Sequence, residues 1–218
     1  CALPIYFYHT TDGGTSWERF RDTTVKRSNM SDPLWQGDMP AGTVYAVGNG
    51  TLWKSTNSGS TWSPDSYTGT TSPWHEEISK LGNTIMVSCA GNNCGSDYTT
   101  GGMRWTHDGG SNWYEFNTGS DMFGVYLLSA QHAWAAGYAG NVWQTLNGGT
   151  LWALRNCGLP TKHMDDILFL NDSTGWVVGQ GIYRLAPPRR TLSDSVVWFL
   201  DACPDSVLRD TVWVTNEN

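Results

Sequence analysis

A chain of 218 residues is long enough to bury a core of its own, which sets a disordered reading aside. Only 15% of its residues are charged, while 25 are Gly and 13 are Trp, a composition that suits short strands, tight turns and aromatic packing between sheets. With a net charge of −7, no basic cluster beyond Arg189–Arg190 and no apolar run near the roughly 18 residues of a membrane helix, neither nucleic acid nor membrane insertion is expected.

In chain order, residues 4–10 and 15–21 read as two strands joined by the turn TTDGGTSW at 10–17. A weak strand within 33–39 is followed by clearer ones at 43–48 and 51–56, the turn STNSGSTW at 55–62, and a last strand from 61. The next group has strands at 75–82, 84–91, 102–108 and 112–117 around THDGGSNW at 106–113. Its successor has 122–130, 132–138, 141–146 and 151–156 around TLNGGTLW at 145–152. A final group at 164–171, 174–180 and 181–185 has three strands and no such turn. Beyond it, 188–194 is expected as a linker, and 195–218 as a separate unit with strands at 196–200 and 206–215.

The four turns share a hydroxyl, any residue, Asp or Asn, any residue, Gly, two further residues and Trp. Their tryptophans stand at 17, 62, 113 and 152, intervals of 39 to 51 residues, the length of one four-stranded propeller blade. The fold is therefore predicted as an all-β propeller over 1–187, with about three full blades and two partial ones. The two strands at one end and three at the other do not sum to one blade, so the ring is expected to be incomplete here and completed, to six or seven blades, by upstream sequence. In each turn the side chain of Asp12, Asn57, Asp108 or Asn147 is expected to accept backbone N–H groups one to three residues on, with the Gly at positive φ. Trp17, Trp62, Trp113 and Trp152 are expected to wedge between neighbouring sheets.

Five cysteines are an odd number. Cys89 and Cys94, in SCAGNNCGS, form a candidate disulfide across a hairpin tip if the compartment is oxidising. Few Lys and many Asn, Thr and Ser favour an exported protein, at the cell surface, in the periplasm or outside the cell. Cys1 as a lipidated first residue is the rival reading of that cysteine. His75-Glu76-Glu77 lacks the spacing and helical context of a zinc motif, and no metal or cofactor is predicted. Glu76–Glu77 and Asp165–Asp166 are the obvious carboxylate pairs, but neighbours on a strand point to opposite faces, so neither pair alone makes a glycosidase dyad. No G-x-S-x-G elbow occurs either, and no catalytic residue is assigned.

The four turns resemble the Asp box, or bacterial neuraminidase repeat, of sialidase-like propellers. Within that group Gly137–Trp152, GYAGNVWQTLNGGTLW, is most similar to the photosystem II assembly and stability factor family. The similarity runs from about residue 4 to residue 187, and residues 196–215 resemble the start of an immunoglobulin-like module of exported bacterial proteins. The resemblance implies a fold more than an activity, because Asp boxes occur in sialidases, xyloglucanases, sorting receptors and assembly factors alike. The Arg triad and Tyr–Glu pair of a sialidase have no counterpart here. It also implies that the boxes join third to fourth strands on one face and that ligands bind on the other. That face would carry Asn92, Asn93, Asp97 and Tyr98 with Tyr138, Trp74, His75, Trp35 and His163. An aromatic, polar surface of this kind suits a protein partner or a stacked carbohydrate. The expected function is a non-catalytic module for protein–protein interaction, assembly or adhesion in an exported bacterial protein. A glycan-active or glycan-binding propeller is one alternative, and an accessory subunit or assembly factor of a photosynthetic membrane complex is another.

Overall fold

A computed structural model of the chain describes residues 7–10, 12–20, 32–34, 41–48, 51–67, 75–90, 101–185, 190–193 and 196–199. β1 (Phe7–His9) pairs antiparallel with β2 (Glu18–Phe20). Sheet I is the meander β3 (Asp32–Leu34), β4 (Val44–Gly48), β5 (Thr51–Ser55) and β6 (Ser63–Tyr67). Sheet II repeats it with β7 (His75–Leu81), β8 (Thr84–Cys89), β9 (Gly102–Thr106) and β10 (Tyr114–Asn117). Sheet III holds β11 (Met122–Leu127), β12 (Ala133–Gly137), β13 (Val142–Thr145) and β14 (Ala153–Leu154). Sheet IV has β15 (Met164–Asn171), β16 (Thr174–Gly179) and β17 (Gly181–Leu185). A separate pair, β18 (Arg190–Ser193) and β19 (Val196–Phe199), follows. The stretch read as a linker thus contains a strand, and the 196–200 segment pairs with it; residues 206–215 lie outside the described residues.

The repeated turn is a closed set of short-range bonds. In sheet II the Thr106 hydroxyl donates to the Asp108 carboxylate (2.7 Å) and accepts the Gly110 N–H (3.0 Å), while the same carboxylate oxygen accepts the Asn112 N–H (2.9 Å). Thr10, Ser55 and Thr145 play the same part with Asp12, Asn57 and Asn147. The acceptor reach differs from expectation: the Asp or Asn takes the N–H four residues on, because the nearer glycine N–H is held by the hydroxyl. Two successive residues turn left-handed, as at Gly109 (φ +73°) and Gly110 (φ +99°); only Ser58 departs from glycine at the first of them.

Three of the four turns are also tied to the hairpin beside them. The residue after the Asp or Asn donates its N–H to a carbonyl between the first two strands of its own sheet: Ser58 to Gly42, Gly109 to Asn83, and Gly148 to Gln131. These two sets of turns therefore share one edge of sheets I, II and III, opposite the edge at which second and third strands are joined.

Sheets pack face to face through their first strands, with β11 lying between β7 and β15. The Val125 N–H of β11 donates to the Glu77 carboxylate of β7 (2.8 Å), and the Leu127 N–H to the Ser79 hydroxyl (3.0 Å). At Gly124 a Cβ would lie 2.8 Å from the Asp166 Cα, so the bare backbone sets how closely β15 approaches. Apolar layers fill the gaps: Tyr45, Val47 and Leu52 against Ile78, Ile85 and Val87; Met86, Met103 and Trp105 against Val125 and Leu127; Ala136 and Val142 against Met164, Ile167 and Phe169.

Trp113 and Trp152 sit on the layer shared with the preceding sheet, as wedges should, and Trp62 is buried beside Val44 and Ala46. Trp17 departs from expectation, being 60% exposed. Gly149 joins turn to wedge: its φ is +88°, and a Cβ there would lie 2.3 Å from the Trp105 ring. Gly149→Ala is expected to lose the left-handed preference, about 1 kcal/mol, plus roughly 1–3 kcal/mol of overpacking. Gly109→Ala, with nothing within 4 Å of the added Cβ, should show the first loss alone. Denaturant unfolding of the two variants measures the difference.

Candidate functional site

Among the described residues, the edge away from the repeated turns is built by the loop between β12 and β13 and by the segments that lead into β11 and β15. Residues Tyr138–Gly140 form a single tight turn there, fixed by the Gly137 N–H to the Asn141 carbonyl (2.9 Å), the Asn141 N–H to the Tyr138 carbonyl (3.2 Å) and the Tyr138 N–H to the Asp121 carbonyl (2.8 Å). Glycine is required at 140, where φ is +76° and a Cβ would meet the Pro160 carbonyl oxygen at 2.2 Å. The turn is thereby clamped between the segment entering sheet III and the one leaving it.

Tyr138 is 47% exposed, and its ring meets that of His163 edge-on, with centroids 4.4 Å apart. His163 in turn lies parallel to Phe123, 6.2 Å away. Its carbonyl accepts the Gln180 N–H (3.0 Å), which anchors it to sheet IV. The three rings form a short aromatic strip across the junction of sheets III and IV. Nearby, the half-buried Glu76 carboxyl is pushed up, first by burial and then by the Asp121 carboxylate. The strip thus offers ring faces and edges, one phenol and one imidazole, with two carboxyl groups at the sheet II–III junction. Aromatic surface with polar handles is what a peptide or a sugar ring needs in order to stack and be held in register.

Of the residues expected on this face, Tyr138 and His163 are brought together. Trp35, Trp74, Asn92, Asn93, Asp97 and Tyr98 lie outside the described residues. His75 is a correction, because it is fully buried. Its Nδ1 lies 3.2 Å from the Ser88 carbonyl oxygen and 3.2 Å from the Cys89 sulfur, and burial holds its pKa down to about 4, so it is a neutral core group. Phe123 and Asp121 were missed. Pairing places Phe123 at the same position in β11 as Glu76 in β7 and Asp165 in β15, so aligning the first strands with one another would have found it.

The paired carboxylates divide their work. Glu77 accepts the Val125 N–H across the sheet junction, and Asp166 accepts the N–H of Ile167 beside it (2.6 Å). Glu76 and Asp165 remain as the members nearer the loop edge. Glu77→Ala is expected to cost about 1–3 kcal/mol, since it strands a buried N–H; Glu77→Gln, which keeps an acceptor, should recover most of it. Urea unfolding of the pair distinguishes an acceptor from a charge.

On the opposite edge, Asp12 and Asp108 are held well below the ordinary carboxylate range. Hydrogen bonds from Ser16 dominate for Asp12, and those from the Asn112 backbone and amide for Asp108. These groups are spoken for within their own turns. Cys89 and Cys157 are each in a disulfide; Cys94 lies outside the described residues. Among the described residues no group of three or more His, Cys, Asp or Glu is placed to hold a metal ion, and no helix is long and apolar enough to cross a membrane.

Repeated four-stranded antiparallel sheets, packed face to face through their first strands, make this an all-β protein with the architecture of a β-propeller; the described sheets do not close a ring. Solved structures agree. An ancestral GH74 enzyme aligns with 72% of this chain at 16% identity and a TM-score of 0.54. The GH74 xyloglucanase from Xanthomonas campestris aligns with 89% at 14% identity and a TM-score of 0.59. The chain spans 22% and 36% of their respective lengths. YCF48 bound to D1 peptide aligns over 86% of this chain and 74% of its own, at 14% identity and a TM-score of 0.44. No family model and no curated protein matches the sequence.

Proposed function

We propose that the chain is a non-catalytic binding module of an exported protein, taking a protein partner on the loop edge opposite the repeated turns in an assembly or adhesion role. The observation that carries this reading is the Tyr138–His163 pair: an exposed phenol held edge-on to an imidazole, on a turn fixed by three backbone hydrogen bonds. Rigid, partly exposed aromatic groups are the usual anchors of protein interfaces because little side-chain freedom is lost on binding. The use of Glu77 and Asp166 as backbone acceptors supports a scaffold rather than a catalytic reading of the carboxylate pairs. Disulfide-bonded Cys89 and Cys157 support an oxidising compartment.

The test is a quantitative pull-down from the surface and secreted fractions of the source cells. Wild type is compared with a Tyr138→Ala/His163→Ala double variant and with Tyr114→Ala, an exposed aromatic on the fourth strand of sheet II. Retention should fall about ten-fold or more in the double variant and be unchanged in the control. Equal retention by all three proteins would overturn the reading.

A glycan-active propeller is the second reading, favoured by Glu76, whose carboxyl is raised next to the Asp121 carboxylate in the manner of a proton donor beside a charged partner. The fold is shared with GH74 xyloglucanases, so xyloglucan is the first substrate to try. Release of reducing ends that disappears in Glu76→Gln would establish that reading in place of the first.

A further inference from the structure

His132 stands between β11 and β12, on the edge of the repeated turns, and its backbone is fixed there. Its carbonyl accepts the Leu128 N–H (2.9 Å) and the Ser129 N–H (3.1 Å), and its own N–H donates to the Ser129 hydroxyl (3.0 Å). The side chain is 16% exposed. Its Nε2 lies 2.9 Å from the Trp134 indole nitrogen and 2.9 Å from the Gln144 amide nitrogen. An indole nitrogen only donates. The Gln144 amide is oriented by Arg155, whose Nε–H donates to the Gln144 Oε1 (3.0 Å), so the NH2 group is the end that faces the imidazole. Two donors thus converge on one ring nitrogen, and Nε2 must carry a lone pair. The imidazole is the neutral tautomer with its proton on Nδ1, towards the Asp172 carboxylate of the sheet IV hairpin at 3.9 Å.

Each donor holds something larger in place. The Trp134 ring stacks on Phe169 of sheet IV, with centroids 5.0 Å apart, and packs against the apolar layer between sheets III and IV. Gln144 lies on β13 and Arg155 directly follows β14, so the chain His132–Gln144–Arg155 runs across sheet III to its outer strand. That strand is only two residues long. Two residue pairs and the Arg155 N–H to the Val142 carbonyl (2.6 Å) join it to β13, and the side-chain tie is added to these few bonds.

We propose that His132 is an acid-operated latch on sheet III: a proton taken up at Nε2 turns the shared acceptor into a donor, which frees the Trp134 indole and breaks the chain to Arg155. Gln144 cannot rescue both ends. Turned over, its oxygen meets the new His132 N–H, but its NH2 group then faces the Arg155 Nε–H. Protonation strengthens the pair with Asp172, yet that carboxylate is 86% exposed, and an ion pair so open to water adds little. Among the described residues Asp172 faces the ring directly and Arg155 reaches it through Gln144, while β12 and β13 present Trp134 and Gln144, which do not titrate. Burial, outweighing the Asp172 carboxylate, holds the imidazole below its ordinary value of 6.5. The latch is therefore closed at neutral pH and opens in acid.

The test is proton and nitrogen magnetic resonance of the whole chain from pH 7 to 4.5, in which the His132 ring signals report its own titration. At pH 7 Nε2 should show the shift of an unprotonated nitrogen, and Nδ1 that of a protonated one. As the ring titrates, hydrogen exchange of the Trp134 indole and the Arg155 Nε–H, corrected for intrinsic rate, should quicken about ten-fold, the worth of one such hydrogen bond. The Asn112 amide, bound to Asp108 in the turn of sheet II, should keep its protection. His132→Gln, which supplies an acceptor that does not titrate, should hold both groups at every pH, and His132→Phe should leave both fast at every pH. A protonated Nε2 at pH 7, or a ring that stays neutral until the chain unfolds, overturns the proposal. So does exchange that ignores the titration, or the same acid response in His132→Gln.

Discussion

Trp152→Ala is expected to destabilise the chain by about 3–5 kcal/mol, the range for deleting a large aromatic from a packed junction. Trp152 lies between sheets II and III, edge-on to Trp105 at 5.8 Å and stacked on Phe116 at 5.8 Å, against the layer that contains Met86, Met103 and Val125. Its loss opens a cavity that the close approach of Gly149 to Trp105 prevents from collapsing. Trp152→Phe is expected to be far milder, since the indole N–H is buried without a hydrogen-bond partner and nothing polar is lost with it. Trp113 differs, because its N–H donates to the Gly110 carbonyl (3.1 Å), and Trp113→Phe forfeits that bond. Leu151→Ala, next to Trp152 but 71% exposed, should fall within roughly 0.5 kcal/mol of wild type. Denaturant midpoints for the four variants measure how much of the turn's tryptophan is wedge and how much is cap.

The second large effect is a loss of stability in mild acid that originates at His75. Its neutral form is favoured in the fold mainly by burial, opposed in part by the hydrogen bond to the Ser88 carbonyl and helped to a lesser degree by the nearby Arg104 charge. The folded pKa of about 4 lies below the ordinary value of 6.5, so between these the unfolded chain binds a proton that the folded chain does not. The stabilisation is complete above about pH 6.5 and is lost as pH falls towards 4, by about 3 kcal/mol in all. His75→Met should remove this dependence without breaking the fold. Met122 and Met164 occupy the same position in the next two sheets and are fully buried there. Urea unfolding at pH 7, 5.5 and 4.5 for both proteins checks it: wild type should weaken across the series, and the variant should weaken less by the His75 share.

What the sequence disclosed follows from how local the physics is. The repeated turn closes within seven residues through its own hydroxyl, carboxylate or amide and two left-handed positions, so pattern alone located it and set the strands around it. Its acceptor geometry was misjudged because the hydroxyl, not the Asp, holds the glycine N–H. Long-range placement was harder. Beside two glutamates His75 reads as the polar start of a strand, but the irregular pairing between His75 and Ile78 turns it into the core, where the next two sheets place methionine. Asp121 joins the candidate site only because β11 lies against β7, a neighbourhood with no local signal, whereas Phe123 is legible once the first strands are aligned with one another. Trp17 closes the same turn as Trp113 and Trp152, yet it is exposed where they pack on the layer shared with a preceding sheet, so the motif alone does not tell a buried wedge from a surface ring.

The division of labour between the two edges is the central claim: repeated turns that build the junctions, and an opposite edge that binds. Hydrogen exchange of the chain with and without its captured partner tests this most directly. The account predicts slowed exchange at residues 121–123, 137–141 and 163–165, with residues 106–113 and 145–152 unchanged. Protection confined to the repeated turns would contradict it.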